Sequence, residues 1–419
     1  MKTAIVGGGV GGLATAILLA ERGAKVTLFE GATSYGGRAR TTHEGDFHFN
    51  LGPHAIYLGG HTERVLGLLG GVPAGAPPKA RGLALVGDVL HALPAGPLSL
   101  MTTGLFDLSE RWEAARIMAG LSRLDVVGDE SVGTWLERHV RHTRVRSVIA
   151  MFFRVATYTH PVTALRAKDA LEQLRMATGP GVVYLDGGWQ TLVDRLAARA
   201  EALGVSVKSS ARVVGIGQAG GTAKTLEIEG GLIARFDSLV LATGPKVAAK
   251  LLPEDVSLAA FAERARPVEA ACLDVAAEGL TGPATLLLGV DAPYYGSVHS
   301  AFAKLAPEGA AMIHVAKYLG PDDEATEAEL RGVLSRMQPG IVVKHARFLP
   351  RIRVMNARVS ATTGGVEGRI VRPDTPNVAL VGDWVGSRGM LLDAVLASAE
   401  AAALALEPGA LERGLAASA

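Results

Sequence analysis

Cysteine is nearly absent. Cys272 is the single one in 419 residues, which excludes an intramolecular disulfide and any cysteine-based metal site. Such usage fits a reducing compartment. Aromatic residues are scarce at 5%, so stacking platforms for nucleic-acid bases are not expected. There is no excess of either charge: 42 basic and 41 acidic side chains leave a net +1, and nothing electrostatic points to a nucleic-acid partner. No apolar run reaches the roughly 18 residues of a spanning helix, and the short apolar N-terminus does not read as a secretory signal. A cytoplasmic location is expected, with peripheral membrane contact left open. Neither a G-x-S-x-G elbow nor a P-loop lysine occurs, so hydrolase and phosphoryl-transfer readings have no support. Internal repeats and low-complexity linkers are also lacking. His139 and His142 lie on one expected helix without an acidic or cysteine partner at ligand spacing. A solvated basic face with Arg138, Arg141 and Arg144 is expected there, and no metal site.

What the chain does have begins at residue 3. TAIVGGGVGG carries a buried strand into a glycine turn, and LATAILLAERG continues as a helix. Gly7 permits the turn, Gly9 lets backbone lie against a pyrophosphate, and Gly12 lets the helix pack on the strand. The free N–H groups and dipole of that helix suit phosphate. A second strand, KVTLFE, ends at Glu30, where a carboxylate can accept from the adenosine ribose hydroxyls. No arginine stands at the ribose position, which argues against a 2′-phosphate.

Further along, residues 98–180 have helical periodicity, with Trp112, Ala115, Ile117, Met118 and Leu121 near one face. GAPPKA before them reads as a turn-rich link, and LALVGDVLHALP as a hairpin around Gly87–Asp88. Residues 181–245 return to α/β character. SLVLATGP and NVALVGDWVG are buried strands, and MLLDAVLASAEAAALAL is an alanine-rich helix. The alternation predicts two interleaved domains: one from 1–60, 181–245 and 365–419, the other from 61–180 and 246–364.

Three more segments complete a pattern: YGGRART (35–41), FNLGPHAIY (49–57) and LVGDWVGSRGMLLDAVLASAEAAA (380–403). Together with the glycine turn they resemble the flavin-binding signatures of one superfamily. It holds flavin amine oxidases, protoporphyrinogen oxidase and the phytoene desaturase group. The resemblance implies a Rossmann-type, glutathione-reductase-like FAD-binding domain of α/β class, interleaved with an α+β substrate domain. By position it implies that Gly7, Gly9 and Gly12 hold the pyrophosphate and Glu30 the ribose, with Gly37 and Arg38 beside the phosphates. Gly52, Pro53 and His54 would lie by the isoalloxazine, and Val213 by the adenine. Gly382 and Asp383 would serve the ribityl or phosphate groups, and Leu391 would offer its N–H to the pyrimidine edge.

The departures matter as well. Where the family commonly has Glu-Gly-Ala, this chain has Leu392-Asp393-Ala394, so Asp393 either alters the ring environment or caps. The strand matched to the amine oxidase lysine, PVEAACLDV (267–275), has no lysine. The pattern therefore leans to an FAD-dependent dehydrogenase or desaturase of an apolar, isoprenoid- or tetrapyrrole-like compound. An oxygen-using amine oxidase and a non-catalytic flavin-binding or escort protein are the alternatives. His54 is the candidate catalytic histidine, with a backbone-bonded loop histidine as the competing reading. Arg154, Tyr158 and Tyr295 are the candidate substrate residues.

Overall fold

The computed structural model describes residues 1–79, 82–121, 123–358, 370–372 and 374–407. Lys2–Val6 is the central strand of a six-stranded sheet. The order is Ser206–Lys208, Lys25–Phe29, Lys2–Val6, Ser238–Leu241, Thr375–Leu380 and Val371–Arg372. The first five run parallel and the last is antiparallel. The apolar runs of these strands are buried on both faces, as a parallel sheet between helices requires. Val10–Glu21, Gln190–Ala202 and Leu391–Ala405 supply the helices of one face, whose Leu13, Ile17, Leu192, Leu196, Leu396 and Ala399 share one core.

The second sheet has seven strands, in the order Val343–Met355, Val268–Ala277, Ala311–Leu319, Tyr294–Val298, Leu286–Gly289, Gly82–Val86 and Val89–Ala92. Side chains alternate along Val268–Ala277, the second strand from its edge. Ala270 and Cys272 face the helical block, whereas Ala271, Leu273 and Val275 face the helix Glu327–Met337. The helical block contains Leu108–Gly120, Val132–His139, Thr143–Thr157 and Ala167–Thr178. The structure is thus of mixed α/β class.

Several local expectations need correction. Gly75–Ala76 in the expected link is a short strand paired with Val182–Leu185. Trp112 is 73% exposed, and Ala114 and Ile117 carry the buried face of its helix. His139 ends one helix and His142 caps the next, because the chain is extended at Val140. Each histidine has its own acid: Asp125 lies 3.7 Å from His139, and Glu113 lies 2.7 Å from His142. Arg138 is ion-paired with Asp125 and Glu130. Ala248, Leu251, Leu252 and Leu258 pack with Leu239, Leu241 and Val378 of the parallel sheet, beyond the expected boundary at 245. The expected boundary at 364/365 lies outside the described residues, as do residues 408–419.

Candidate active site

The turn after the first strand is shaped by its glycines. Gly7 has φ +111°, and a Cβ there would run into the Ala242 carbonyl oxygen. A Cβ on Gly12 would overlap the Gly7 carbonyl oxygen, whereas one on Gly9 would point into open space. The helix that follows has Gly9 as its cap, no side-chain cap bond and no acid in its first turn. Its leading N–H groups therefore meet the cleft with a positive dipole end and no protein anion. Glu30 sits at the tip of the neighbouring strand. One oxygen of its carboxylate accepts from Gly8 N at 2.7 Å and the other from Ala32 N at 2.7 Å. Each oxygen keeps accepting capacity for a ribose hydroxyl.

The second turn, Gly37–Ala39, docks on the first through Gly36 N, which donates to the Gly8 carbonyl at 2.8 Å. Arg38 Nη1 donates to Asp383 at 2.7 Å and to the Val354 carbonyl at 2.7 Å, yet its side chain remains 43% exposed. Asp383, at the end of the Thr375–Leu380 strand, also accepts from the Asn356 amide at 2.9 Å. Asn50 Oδ1 accepts from Thr41 and from the backbone N–H of Trp189. That bond fixes Trp189 against the His54 ring, with centroids 5.0 Å apart. The Trp189 indole N–H is buried without an acceptor among the described residues.

Most of these groups border a cleft of about 930 Å³. Of the expected cofactor residues, Gly7, Gly9, Glu30, Gly37, Arg38, Pro53, Val213, Gly382, Asp383 and Leu391 line it, as do His54 and Tyr158. Gly12 and Gly52 are not in its wall. Gly12 works behind it as the contact between helix and strand. Gly52 has φ +79°, and a Cβ on it would press on Cys272 and Ile352. Arg154 and Tyr295 do not line the cleft either. The Arg154 guanidinium is buried and donates to the carbonyls of Gly289 and Ala292, closing a turn of the second sheet. The Tyr295 hydroxyl lies 3.4 Å from that of Tyr184 and 3.2 Å from His299 Nε2.

His54 ties two turns together. Nδ1 lies 3.0 Å from the Gly52 carbonyl and Nε2 lies 3.1 Å from the Arg38 carbonyl. A neutral imidazole has one N–H and donates to one of them. Burial, reinforced by the neighbouring His314, holds its pKa below the usual value against the pull of those carbonyls. Both nitrogens are directed at main chain, the backbone-bonded arrangement that was the competing expectation, while the ring remains in the cleft wall. Asp393 resolves to a cap. It accepts from Thr62 N at 2.7 Å and from the Thr62 hydroxyl at 3.2 Å, near the N-terminus of the helix Gly60–Leu68. Among the described residues, three non-glycine residues have positive φ: Tyr158 at +57°, Ser210 at +51° and Leu391 at +54°. Tyr158 and Leu391 are both in the cleft wall. Such backbone costs about 1–3 kcal/mol each and gathers where a ligand is held.

Behind Gly52 lies a buried charge cluster that the sequence reading missed. Asp274 accepts from His314 Nδ1 at 2.6 Å, Arg347 at 2.8 Å and Gly52 N at 3.3 Å. His299 is close by, its ring 4.5 Å from that of His314. Burial, then the neighbouring imidazoles of His314 and His54, holds His299 well below its ordinary 6.5. A histidine depressed in the folded state withdraws stability as pH falls through the unfolded value. Melting temperature should therefore drop between about pH 7.5 and about pH 5.5, with a shallower drop in His299→Phe. A flat wild-type profile across that window would contradict a neutral buried His299.

Comparison with known proteins bears on this geometry. A family model described as flavin containing amine oxidoreductase matches residues 10–406. The chain belongs to that family. Membership makes it an FAD-dependent oxidoreductase, and the cleft suits the cofactor: an uncapped helix N-terminus, open space at Gly9, and an indole N–H awaiting an acceptor.

Among solved structures, an oxidoreductase from Methanosarcina mazei aligns with TM-score 0.78 and 17% identity, over 96% of this chain and 99% of that one. A protein assigned as a protoporphyrinogen oxidase from Exiguobacterium sp. 255-15 aligns with TM-score 0.73 and 18% identity, over 97% and 98%. Putrescine oxidase bound to putrescine gives TM-score 0.70 and 14% identity, over 96% and 98%. At these identities the likeness is one of fold. A curated 4,4'-diapolycopen-4-al dehydrogenase from Metabacillus indicus is 43% identical over 58 residues, which are 14% of this chain and 12% of that protein. A 4,4'-diapophytoene desaturase from Staphylococcus aureus is 41% identical over 58 residues, with the same coverage. The chain thus matches about an eighth of the length of these curated relatives.

Proposed function

We propose that this flavoenzyme removes hydride from a C–H bond of an apolar small molecule, as a dehydrogenase or desaturase of an isoprenoid- or tetrapyrrole-like compound. The observation that carries the reading is the character of the cleft wall. Tyr57, Tyr158, Ile352, Val354, Met390 and Leu391 line it, and no lysine does among the described residues. The short desaturase and dehydrogenase matches point the same way. When bound, FAD supplies the hydride acceptor, and the remaining work of the protein is placement. Gly7, Gly9 and the open helix end would hold the pyrophosphate, Glu30 the ribose and Val213 the adenine. Gly37, Arg38, Gly382 and Asp383 would frame the phosphate and ribityl groups. Pro53 and Leu391 would bear on the ring, with Gly12 and Gly52 supporting from behind. The expected two-domain division is proposed with one change: residues 246–264 go with the FAD-binding part.

Anaerobic bleaching of the bound flavin by a panel of isoprenoids, porphyrinogens and amines tests the reading. Bleaching by isoprenoids or porphyrinogens is expected. Bleaching by amines alone would replace it with the amine oxidase reading, and no bleaching by any of them would favour an escort protein. Glu30→Ala is expected to weaken FAD retention roughly 10- to 100-fold, since a hydrogen bond to a charged acceptor contributes about 1.5–3 kcal/mol. Unchanged FAD content after gel filtration would remove Glu30 from the ribose site.

No helix among the described residues is long and apolar enough to cross a membrane. Exposed Leu98, Met101, Leu108 and Trp112 follow one another along two short helices. They support contact with the surface of a bilayer, where an apolar substrate would be drawn from. Flotation with liposomes is expected, and Trp112→Ser with Met101→Ser should abolish it.

A further inference from the structure

Gln173 is a polar group of the cleft wall whose placement the cofactor assignment leaves unexplained. It lies on the helix Ala167–Thr178 and is 2% exposed. Neither its amide nitrogen nor its amide oxygen has a normal hydrogen-bond partner among the described residues. A buried amide with both ends unmade is costly, so it points to a partner that arrives from outside. Two tyrosines share the wall with it, Tyr57 and Tyr158. The Tyr57 hydroxyl makes a long contact of 3.4 Å to the Val155 carbonyl. It also lies within weak, longer-than-normal hydrogen-bonding reach of the Tyr158 and Gln173 side chains. The Tyr158 ring stands edge-on to Tyr318, whose buried hydroxyl also has no partner.

We infer that Gln173, Tyr57 and Tyr158 form a hydrogen-bonding subsite that selects a neutral oxygen function, a hydroxyl or a carbonyl, on an otherwise apolar substrate. The inference rests on the reading that this chamber receives an apolar molecule, and it narrows that class to oxygenated members. The amide offers one donor face and one acceptor, which an alcohol or an aldehyde can meet. None of the three side chains carries formal charge. Asp393, an acid of the same wall, lies with Met176, one turn along from Gln173, at Gly60. Asp393 already accepts from Thr62. The three side chains offer an ionised head group no counter-charge, so it would be desolvated against them. A plain hydrocarbon would leave the amide unpaired, which is how a polar pocket rejects an analogue lacking the group it was shaped for.

The test uses FAD-loaded protein and three probes of equal chain length: an isoprenoid alcohol, its aldehyde and the parent hydrocarbon. Binding is read as perturbation of the flavin absorbance. The wild type should bind the alcohol and aldehyde at least about tenfold more tightly than the hydrocarbon. Gln173→Leu should erase that preference, bind the hydrocarbon no worse, and melt no lower than wild type, because it removes an unmade amide. Gln173→Met, closer in shape, repeats the measurement should the leucine variant pack badly. Equal affinities in the wild type, or a preference that survives in both variants, overturns the inference while leaving the dehydrogenase reading in place. Loss of FAD in both variants assigns Gln173 to the scaffold and also overturns it. Failure of all three probes to bind would remove the apolar-substrate reading, and the inference with it.

Discussion

Gly12→Ala is expected to give a protein that neither holds FAD nor melts with wild-type cooperativity. The added methyl group would land on the Gly7 carbonyl oxygen, with the Gly7 carbonyl carbon at 3.1 Å and the Ala242 Cβ at 3.4 Å. The two nearest of these are backbone atoms of the central turn, so no side chain can swing aside. Helix or strand must move, and overpacking of this kind costs about 1–3 kcal/mol or more. The same displacement shifts the leading N–H groups of the helix, which is why retention should fall together with stability. Gly9→Ala is the matched control. Its methyl group meets nothing within 4 Å, so the cofactor-free protein should melt like cofactor-free wild type. It would project into the space expected of the pyrophosphate, and FAD retention should still be lost. The pair separates packing from cofactor approach. Wild-type melting and FAD content in Gly12→Ala would show that the strand–helix contact has been misread.

The second large effect is expected at Asp274. Its carboxylate is fully buried and takes hydrogen bonds from His314, Arg347 and Gly52. Arg347 also reaches the Asn50 carbonyl and the Thr42 hydroxyl. One carboxylate thus organises the hairpin and the turn that carry Asn50, Gly52 and His54. Removing one partner of a buried pair leaves the rest unpaired, at a cost of about 3–5 kcal/mol. Against a total stability of about 5–15 kcal/mol, Asp274→Ala should cut soluble yield and move the denaturation midpoint sharply. Burial alone would raise the Asp274 carboxyl, but His314 and Arg347 outweigh it and hold the group below its ordinary 3.8. A carboxyl depressed in the folded state contributes stability above the unfolded value and loses it as pH falls below. Wild-type stability should therefore fall below about pH 4, and Asp274→Asn should flatten that limb. A variant as stable as wild type would mean that the cluster is not a keystone of this turn.

The contrast between what was legible in the sequence and what was not follows from distance along the chain. The glycine turn, the strand to Glu30 and the terminal helix are local patterns. Their residue types are dictated by close backbone approach and by helix ends, so they could be read without partners in view. Asp274 and His314 are 40 residues apart, and Gly52 and Asp274 are 222 apart. Only strand pairing brings them together. Gln173 and the Trp189 indole are invisible for a subtler reason. Each is defined by a partner it lacks, and a string of letters cannot show an unmade bond. Arg154 and Tyr295 looked like ligand-facing groups because they stand among aromatic residues. Tertiary packing gives the first to carbonyls of a sheet turn and the second to other buried rings. Asp393 was ambiguous until Thr62, 331 residues away, appeared opposite it.

The parallel sheet carries one more implication. Its central strand, Lys2–Val6, lies between Lys25–Phe29 and Ser238–Leu241, and the outer strand Thr375–Leu380 leads directly to Asp383 and Leu391. On the ribosome, the opening strand gains one neighbour at once and the other only past residue 241, and the far wall of the nucleotide groove exists only after Leu391 has been made. Domains fold as units, and pairings between remote segments form slowly. Flavin capture in this protein is consequently a late event of biogenesis, completed after translation has passed the terminal helix.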